Sequence, residues 1–377
     1  MHSRTFLALS ATVALLMVPR TESPGRITAT TPLLTARASH SATVLPDGRV
    51  LIVGGFGGSG TESAPVRTSE LYDPATATVT AGPELSIGRS GHTATRLGSG
   101  QVLIAGGWTG RTGQSNTAEL YDPAGHRFIR LANLAAPRAG ATATLLADGR
   151  VLLVGGDGEA DEPLATAEIY DPATRTFRPT GSMAVPRRAH TAALLPDGEV
   201  LVAGGSMGRY PSAVIHQAAE LFDPRTGRFH PTGALAVGRH KHAAVALPDG
   251  RVLVVGGSDQ RDWRGQLTSA EVYDPATARF APVGPMNLAR FKFPGAAVVL
   301  LPSHRVLIAG GANTAEVFDP DTGRFFNVAG GFDAAYYYSA AVALNDGRVF
   351  ISGGYHDSRG GLPSAAATYL FRPLSPP

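Results

Sequence analysis

The chain of 377 residues contains no cysteine, almost no lysine beside its arginine, and only two tryptophans. The lack of cysteine excludes disulfides, thiolate metal sites and cysteine nucleophiles together. The formal charge is only +3. Because no run of basic residues forms the continuous positive surface that a phosphate backbone requires, we expect no nucleic-acid partner.

The N-terminal segment has the pattern of a secretion signal. Its apolar run, residues 5–18, has the length of a signal-peptide core and is too short to span a bilayer. We therefore expect a secreted or periplasmic protein that is not membrane-spanning. Residues 1–23 are predicted to be the signal peptide, with an uncertain cleavage position, and residues 24–377 to be a single domain.

What the chain does contain is a repeat. A Gly-Gly pair follows an apolar run seven times, at successive offsets of 52, 49, 49, 52, 54 and 43 residues. A period of about 40 to 50 residues with four short strands per unit is typical of β-propeller blades. The pairs are Gly54-Gly55, Gly106-Gly107, Gly155-Gly156, Gly204-Gly205, Gly256-Gly257, Gly310-Gly311 and Gly353-Gly354.

Each unit predicts four antiparallel strands. In the third unit a turn at Asp148-Gly149 precedes the apolar run 151–154, whose lack of alternation indicates a strand buried on both faces. A third strand carries Glu168 to Pro172, and a fourth, outer strand contains Phe177. Six units repeat that glutamate, and since a reaction needs one constellation rather than six copies, we interpret the glutamates as scaffold.

The last unit lacks an outer strand, because the chain stops soon after the third strand near residues 367–371. Residues 27–34 precede Arg37 at the spacing that an outer strand has elsewhere. The sequence therefore predicts an all-β, seven-bladed propeller of four-stranded antiparallel blades. The ring is closed by an N-terminal outer strand that completes the last blade.

With its glycine pairs, its aromatic-Asp-Pro strands and the Arg-x-x-His that opens several units, the chain resembles the kelch-repeat β-propellers. Within this group it is similar to bacterial exported kelch proteins and to the propeller domain of galactose oxidase. That resemblance implies a copper site, since a tyrosine followed by histidine binds copper there. Here the matching stretch is Tyr337-Tyr338-Ser339, without the histidine, and the cysteine that is cross-linked to tyrosine in that family is missing. Copper-radical oxidase activity is therefore not expected, and we predict no cofactor.

Candidate ligand-binding residues lie in the loops that join strands two to three and four to one, which share one face of the disc. The variable loops contain Trp108, Tyr210, Trp263, Tyr355 and His356. These aromatics either stack on a sugar or peptide or simply cover their own loops. The last unit opens with Tyr336 and Tyr338. One arginine recurs at an equivalent position in six units: Arg37, Arg89, Arg138, Arg187, Arg239 and Arg290.

Two interpretations of the arginines stay open. By resemblance to kelch domains that bind acidic peptides, the arginines recognise carboxylates through paired hydrogen bonds. Their repetition favours the alternative that they pair with carboxylates or carbonyls inside the scaffold. The repeated histidines His40, His92, His190 and His242 are interpreted as structural, and spacing gives His240 and His242 no third metal ligand.

We therefore predict an exported kelch-repeat binding module, monomeric, that recognises a carbohydrate, peptide or surface partner on its variable-loop face. The alternative is a periplasmic sugar mutarotase or epimerase that resembles kelch-type sialic acid epimerases. In that alternative an unpaired arginine holds a carboxylate. We expect binding rather than catalysis and assign no catalytic residue.

Overall fold

The computed structural model describes residues 23–58, 64–208, 212–292, 297–357 and 363–374. Seven four-stranded antiparallel sheets surround a central axis, as the repeat predicted. Within the described residues the only helices are three 3₁₀ turns, at Gly110–Thr112, Glu159–Asp161 and Asp262–Arg264. The predicted signal peptide, residues 1–23, lies outside the described residues except for Ser23.

The strands are numbered along the chain. The first ranges are β1 Gly25–Ala29, β2 Ser41–Val44, β3 Val50–Val53, β4 Phe56–Gly57, β5 Ala64–Pro65, β6 Ser69–Asp73, β7 Thr78–Ala81, β8 Thr93–Arg96, β9 Val102–Ala105, β10 Ala118–Asp122, β11 Arg127–Arg130, β12 Thr142–Leu145, β13 Val151–Val154, β14 Ala167–Asp171, β15 Thr176–Pro179 and β16 Thr191–Leu194. The remaining ranges are β17 Val200–Ala203, β18 Ser206–Met207, β19 Val214–Ile215, β20 Ala219–Asp223, β21 Arg228–Pro231, β22 Ala243–Ala246, β23 Val252–Val255, β24 Ala270–Asp274, β25 Arg279–Val283, β26 Val298–Leu300, β27 Val306–Ile308, β28 Glu316–Asp319, β29 Arg324–Asn327, β30 Ala340–Ala343, β31 Val349–Ser352 and β32 Thr368–Pro373.

The blades follow the chain in order. Blade 1 pairs β2, β3, β6 and β7, and the next five blades repeat that order through β29. The short hairpins β4–β5 and β18–β19 extend from blades 1 and 4 into the variable loops. Blade 7 consists of β30, β31 and β32, with β1 as its outer strand. The predicted closure by an N-terminal strand is therefore confirmed.

The core lies between the blades. The second strand of every blade is buried on both faces, as its unbroken apolar run predicted. In β3, Leu51 and Val53 pack towards blade 2, while Val50 and Ile52 pack towards blade 7. Each interface thus receives alternate side chains from two neighbouring sheets.

The glycine pairs allow neighbouring blades to approach closely. Gly55 has a φ of +95° and donates its N–H to the carbonyl of Arg89 in the next blade at 2.9 Å. A Cβ atom placed on Gly55 would lie 2.8 Å from the carbonyl oxygen of Ala38, and one on Gly54 would lie 2.5 Å from that of Arg89. Both positions therefore require glycine, and the pairs are backbone devices rather than phosphate-binding loops.

Candidate functional site

Six arginine–glutamate pairs tie the first loop of a blade to its third strand. In blade 6 the Arg290 guanidinium lies 3.0 Å from the Glu316 carboxylate, and both side chains are fully buried. The same guanidinium donates to the carbonyls of Gly310 and Thr314. Burial lowers the pKa of Arg290, and Glu316 opposes that shift. The equivalent pairs are Arg37–Glu70, Arg89–Glu119, Arg138–Glu168, Arg187–Glu220 and Arg239–Glu271.

This arrangement supports the structural alternative for all six arginines. Each is at most 1% exposed and hydrogen-bonded within its own blade, which leaves no guanidinium to face a ligand. The alternative in which these six candidate residues bind a ligand carboxylate is corrected accordingly. The epimerase alternative requires an unpaired arginine, and these six do not supply one.

Blade 7 replaces the ion pair with two tyrosines on one carboxylate. Tyr369 occupies the β32 position that a glutamate occupies in the other third strands, as its pairing with Ile351 shows. Tyr336 takes the place of the arginine and donates its hydroxyl to Asp333 at 2.9 Å, and Tyr369 also donates to Asp333. These hydrogen bonds, that from Tyr369 first, hold the pKa of Asp333 below its usual value. Tyr336, predicted as a ligand-binding residue, is thus buried in this cluster of two tyrosines and Asp333.

Seven residues form a closed belt around one mouth of the axial channel. Six of them lie two residues before the first strand of their blade, and Lys292 lies six residues before β26. Each has a φ between +50° and +61°. At six junctions the N–H of one member donates to the carbonyl of the preceding member, as from Gly91 to Ser39 at 3.0 Å. The belt consists of Ser39, Gly91, Gly140, Ala189, Lys241, Lys292 and Tyr338.

The channel inside the belt has a volume of about 280 Å³ and is lined mainly by small side chains of the first strands. Four buried histidines stand beside it, each bonded through Nε2 to a serine or threonine, as His190 is to Thr142 at 3.0 Å. Burial lowers the pKa of His92 and His190 to about 3. These contacts agree with a structural role. Within the described residues, no group of three His, Asp or Glu side chains is placed to hold a metal ion.

An aromatic cage surrounds Lys292 at the channel mouth. Its Nζ lies 3.6 Å from the centroid of the Trp263 ring and donates to the Tyr355 hydroxyl at 2.5 Å. The rings of Phe291, Tyr337 and Tyr338 complete the cage, with centroids 5.1 to 5.9 Å from Nζ. Burial, followed by the charge of Lys241, lowers the pKa of Lys292 to about 7, and Asp262 opposes the shift.

A polar cluster borders the cage. Asp262 accepts a hydrogen bond from Lys241 Nζ at 2.6 Å, and its Oδ1 lies 3.7 Å from His240 Nε2. Arg188, which precedes β16 of blade 4, donates to Asp157, which follows β13 of blade 3, at 2.9 Å. Burial raises the pKa of Asp157 despite that contact. The channel mouth therefore combines charged groups with an apolar cage on its blade 5 to blade 7 side.

The loop aromatics differ in exposure. Trp108 and Trp263 are 37% and 40% exposed, in agreement with their expected place on an open face. Tyr355, expected in the same class, is 5% exposed because it lies inside the cage. His356 packs edge-on against Tyr336 with ring centroids 5.9 Å apart. Tyr210 lies outside the described residues.

The donor set does not fit the copper ion of the resembled oxidases. Ser339 stands where the resemblance asks for histidine, and Tyr338 and Tyr355 stack on each other with centroids 5.8 Å apart. The Lys292 amine hydrogen-bonds to the hydroxyl of one of these tyrosines, the oxygen that a metal ion would need as a ligand.

Sequence reasoning missed Lys241, Lys292, Phe291 and Asp262. One signal was available, because the scarce lysines stand at the same position of two consecutive repeats. The cage itself gave no local signal, since its members come from three blades.

Comparisons with known proteins agree with this architecture. A family model of the kelch motif matches residues 137–184 and 239–287. A fungal alcohol oxidase of the AA5 family, solved in complex with copper, superposes with a TM-score of 0.71 at 16% sequence identity. The superposition covers 93% of this chain and 76% of the oxidase, and at that identity it shows the fold alone. No curated protein matches the sequence.

Among the residues described, no helix has the length and hydrophobicity to cross a membrane. Kelch propellers generally serve as protein-interaction modules. The seven blades, together with kelch-motif matches in two of them, make the chain a β-propeller that contains kelch repeats.

Proposed function

We propose that the protein is an exported binding module that recognises a carbohydrate through its variable-loop face beside the Lys292 cage. The observation that carries the proposal is that the Trp263 ring is held in place by its neighbours and is still exposed. One face of its ring is held over the Lys292 ammonium, and the ring meets Phe291 and Tyr337 at interplanar angles of 77° and 78°. Even so, 40% of the residue remains exposed.

A fixed, exposed aromatic ring is suited to binding. Large apolar side chains that stay exposed are costly unless they are used, and a ring already held in place loses little conformational freedom when a ligand stacks on it. Sugar rings present apolar C–H faces of the size of an indole. In the neighbouring cluster, the Asp262 carboxylate and the Lys241 amine provide the polar contacts that hydroxyl groups need.

Export supports this choice, because a secreted or periplasmic protein meets glycans of cell surfaces and envelopes. Export itself is a proposal from residues 1–23. It is tested by N-terminal sequencing of the protein recovered from culture medium or periplasm, where a start near residue 24 is expected.

The carbohydrate proposal is tested on a glycan array, followed by titration of the strongest hit against three variants. Trp263→Ala should lose at least about tenfold in affinity, as expected for a central aromatic anchor. Leu374→Ala is the control, since this residue is 53% exposed at the end of β32 that points away from the loop face. Trp108→Ala reports whether the second exposed tryptophan contributes.

Unchanged affinity in Trp263→Ala would contradict the proposed anchor. An array without hits, together with capture of a peptide by the same face, would replace the carbohydrate with a protein partner.

A further inference from the structure

The only two lysines of the chain occupy adjacent positions of the axial belt. Of its 33 basic residues other than histidine, 31 are arginine and two are lysine, Lys241 and Lys292. Both residues have a positive φ, +52° and +59°, a conformation that Gly91 and Gly140 adopt at the same belt position without strain.

The two lysines differ in their electrostatic surroundings. Lys241 Nζ forms an ion pair with Asp262 at 2.6 Å. In the described part of the chain no carboxylate oxygen lies within 4.0 Å of Lys292 Nζ, which contacts the Tyr355 hydroxyl and five aromatic rings. Lys292 is 8% exposed. The charged groups that influence it are Lys241 and Asp262.

An amine that is desolvated, without a counter-ion and beside a second cation is the kind of amine that acts as a nucleophile in proteins. Arginine could not take this role, because its guanidinium stays protonated. The placement of lysine in a chain that otherwise uses arginine therefore matches a need for a group that can lose its proton.

We propose that Lys292 is a nucleophilic amine that forms a reversible imine with a small aldehyde entering at the mouth of the axial channel. The neutral Nζ adds to the carbonyl carbon, and a proton moves from nitrogen to oxygen to give a carbinolamine. Loss of that oxygen as water leaves the C=N bond, with no change in redox state. The Tyr355 hydroxyl, 2.5 Å from Nζ, is the nearest group able to carry the proton.

Access to the amine depends on Trp263. This residue is the most exposed member of the cage, whereas Phe291, Tyr337 and Tyr355 are less than 10% exposed. Trp263 lies in the 3₁₀ turn Asp262–Arg264 on a variable loop with its ring centroid 3.6 Å from Nζ, so an aldehyde reaches the amine past the edge of this ring. This proposal does not rest on the carbohydrate ligand, since the amine reacts with a carbonyl whichever partner the loop face binds.

The test is reductive trapping of the purified protein with benzaldehyde and cyanoborohydride, followed by peptide mass mapping. Because the chain has two lysines, each labelled peptide identifies one site. At pH 7.5 we expect Lys292 to be labelled at least tenfold faster than Lys241, with a half-maximal rate near pH 7. Equal rates, faster labelling of Lys241, or a Lys292 rate that keeps rising to pH 10 would overturn the proposal.

Two variants of the neighbouring lysine provide a matched control. Lys241→Arg keeps the positive charge and should leave the pH midpoint of Lys292 labelling unchanged. Lys241→Met removes that charge and should move the midpoint to higher pH, which slows labelling at pH 7.5. The same midpoint in both variants would contradict the role of the second cation. The comparison of Lys292 with Lys241 in the unmodified protein does not depend on the folding of any variant.

Discussion

Glu316 is the residue whose replacement tests the scaffold most directly. Its carboxylate accepts hydrogen bonds from five donors: the N–H and side-chain amide of Asn287, the N–H of Leu288, and two nitrogens of Arg290. In Glu316→Gln one of the two oxygens becomes an NH₂ group that points at donors, whichever way the amide is turned. Arg290 is then a buried cation without a counter-ion.

Removing one partner of a buried ion pair costs about 3 to 5 kcal/mol, and the lost hydrogen bonds act in the same direction. We expect Glu316→Gln to lower the free energy of unfolding by about that amount in urea titrations followed by circular dichroism. Glu84→Gln is the matched control, because Glu84 is 58% exposed in a 3.5 Å pair with Arg67 and should cost under about 1 kcal/mol. A loss below 1 kcal/mol in Glu316→Gln would refute the view that these buried pairs stabilise the fold.

Two further predictions concern the channel. Ala189→Gly should raise the free energy of unfolding by about 1 kcal/mol, since glycine adopts the φ of +50° without strain. Gly140→Ala should lower it by a similar amount, because alanine is strained at a φ of +61° and a Cβ there meets nothing within 4 Å that would add a clash. Urea titrations check both signs, and a shared sign would contradict the reasoning. His190 has its pKa lowered from 6.5 to about 3, so between these values the unfolded chain binds a proton that the folded chain does not. The free energy of unfolding should therefore fall as the pH drops through this window. His190→Ala, which copies Ala141 of blade 3, should reduce the slope of that free energy against pH by up to about 1.4 kcal/mol per pH unit. Identical slopes in the two proteins, from urea titrations between pH 6.5 and 5, would contradict this prediction.

The fold was predictable because its signals are local and recur in register. The Asp-Gly turns, apolar second strands and proline-ended third strands each depend on a few neighbouring residues. The closing strand was predicted at residues 27–34 and is found at Gly25–Ala29. Pro32 provides a reason for its early end, since proline has no N–H for the ladder.

The candidate site was predictable only in part, because it depends on contacts between blades. Trp263 comes from blade 5, Lys292 from the start of blade 6 and Tyr355 from blade 7, so no sequence window contains the cage. Whether the arginines bind a ligand or pair inside the scaffold was open for a related reason. Repetition suggested internal pairing, but only the geometry of β28 and its equivalents shows which glutamate each arginine meets.

The outer strand β1 affects the order in which the molecule can fold. It pairs with β32, more than 300 residues away, so blade 7 stays incomplete until nearly all of the chain is available. Contacts of such long range form late, because the entropy of closing the loop is lost before the contact forms. Until then β32 has an open edge that can pair with another chain. Dilution or a chaperone should therefore prevent pairing between chains mainly at this last step. A cut between β1 and β2 should loosen blade 7 before any other blade.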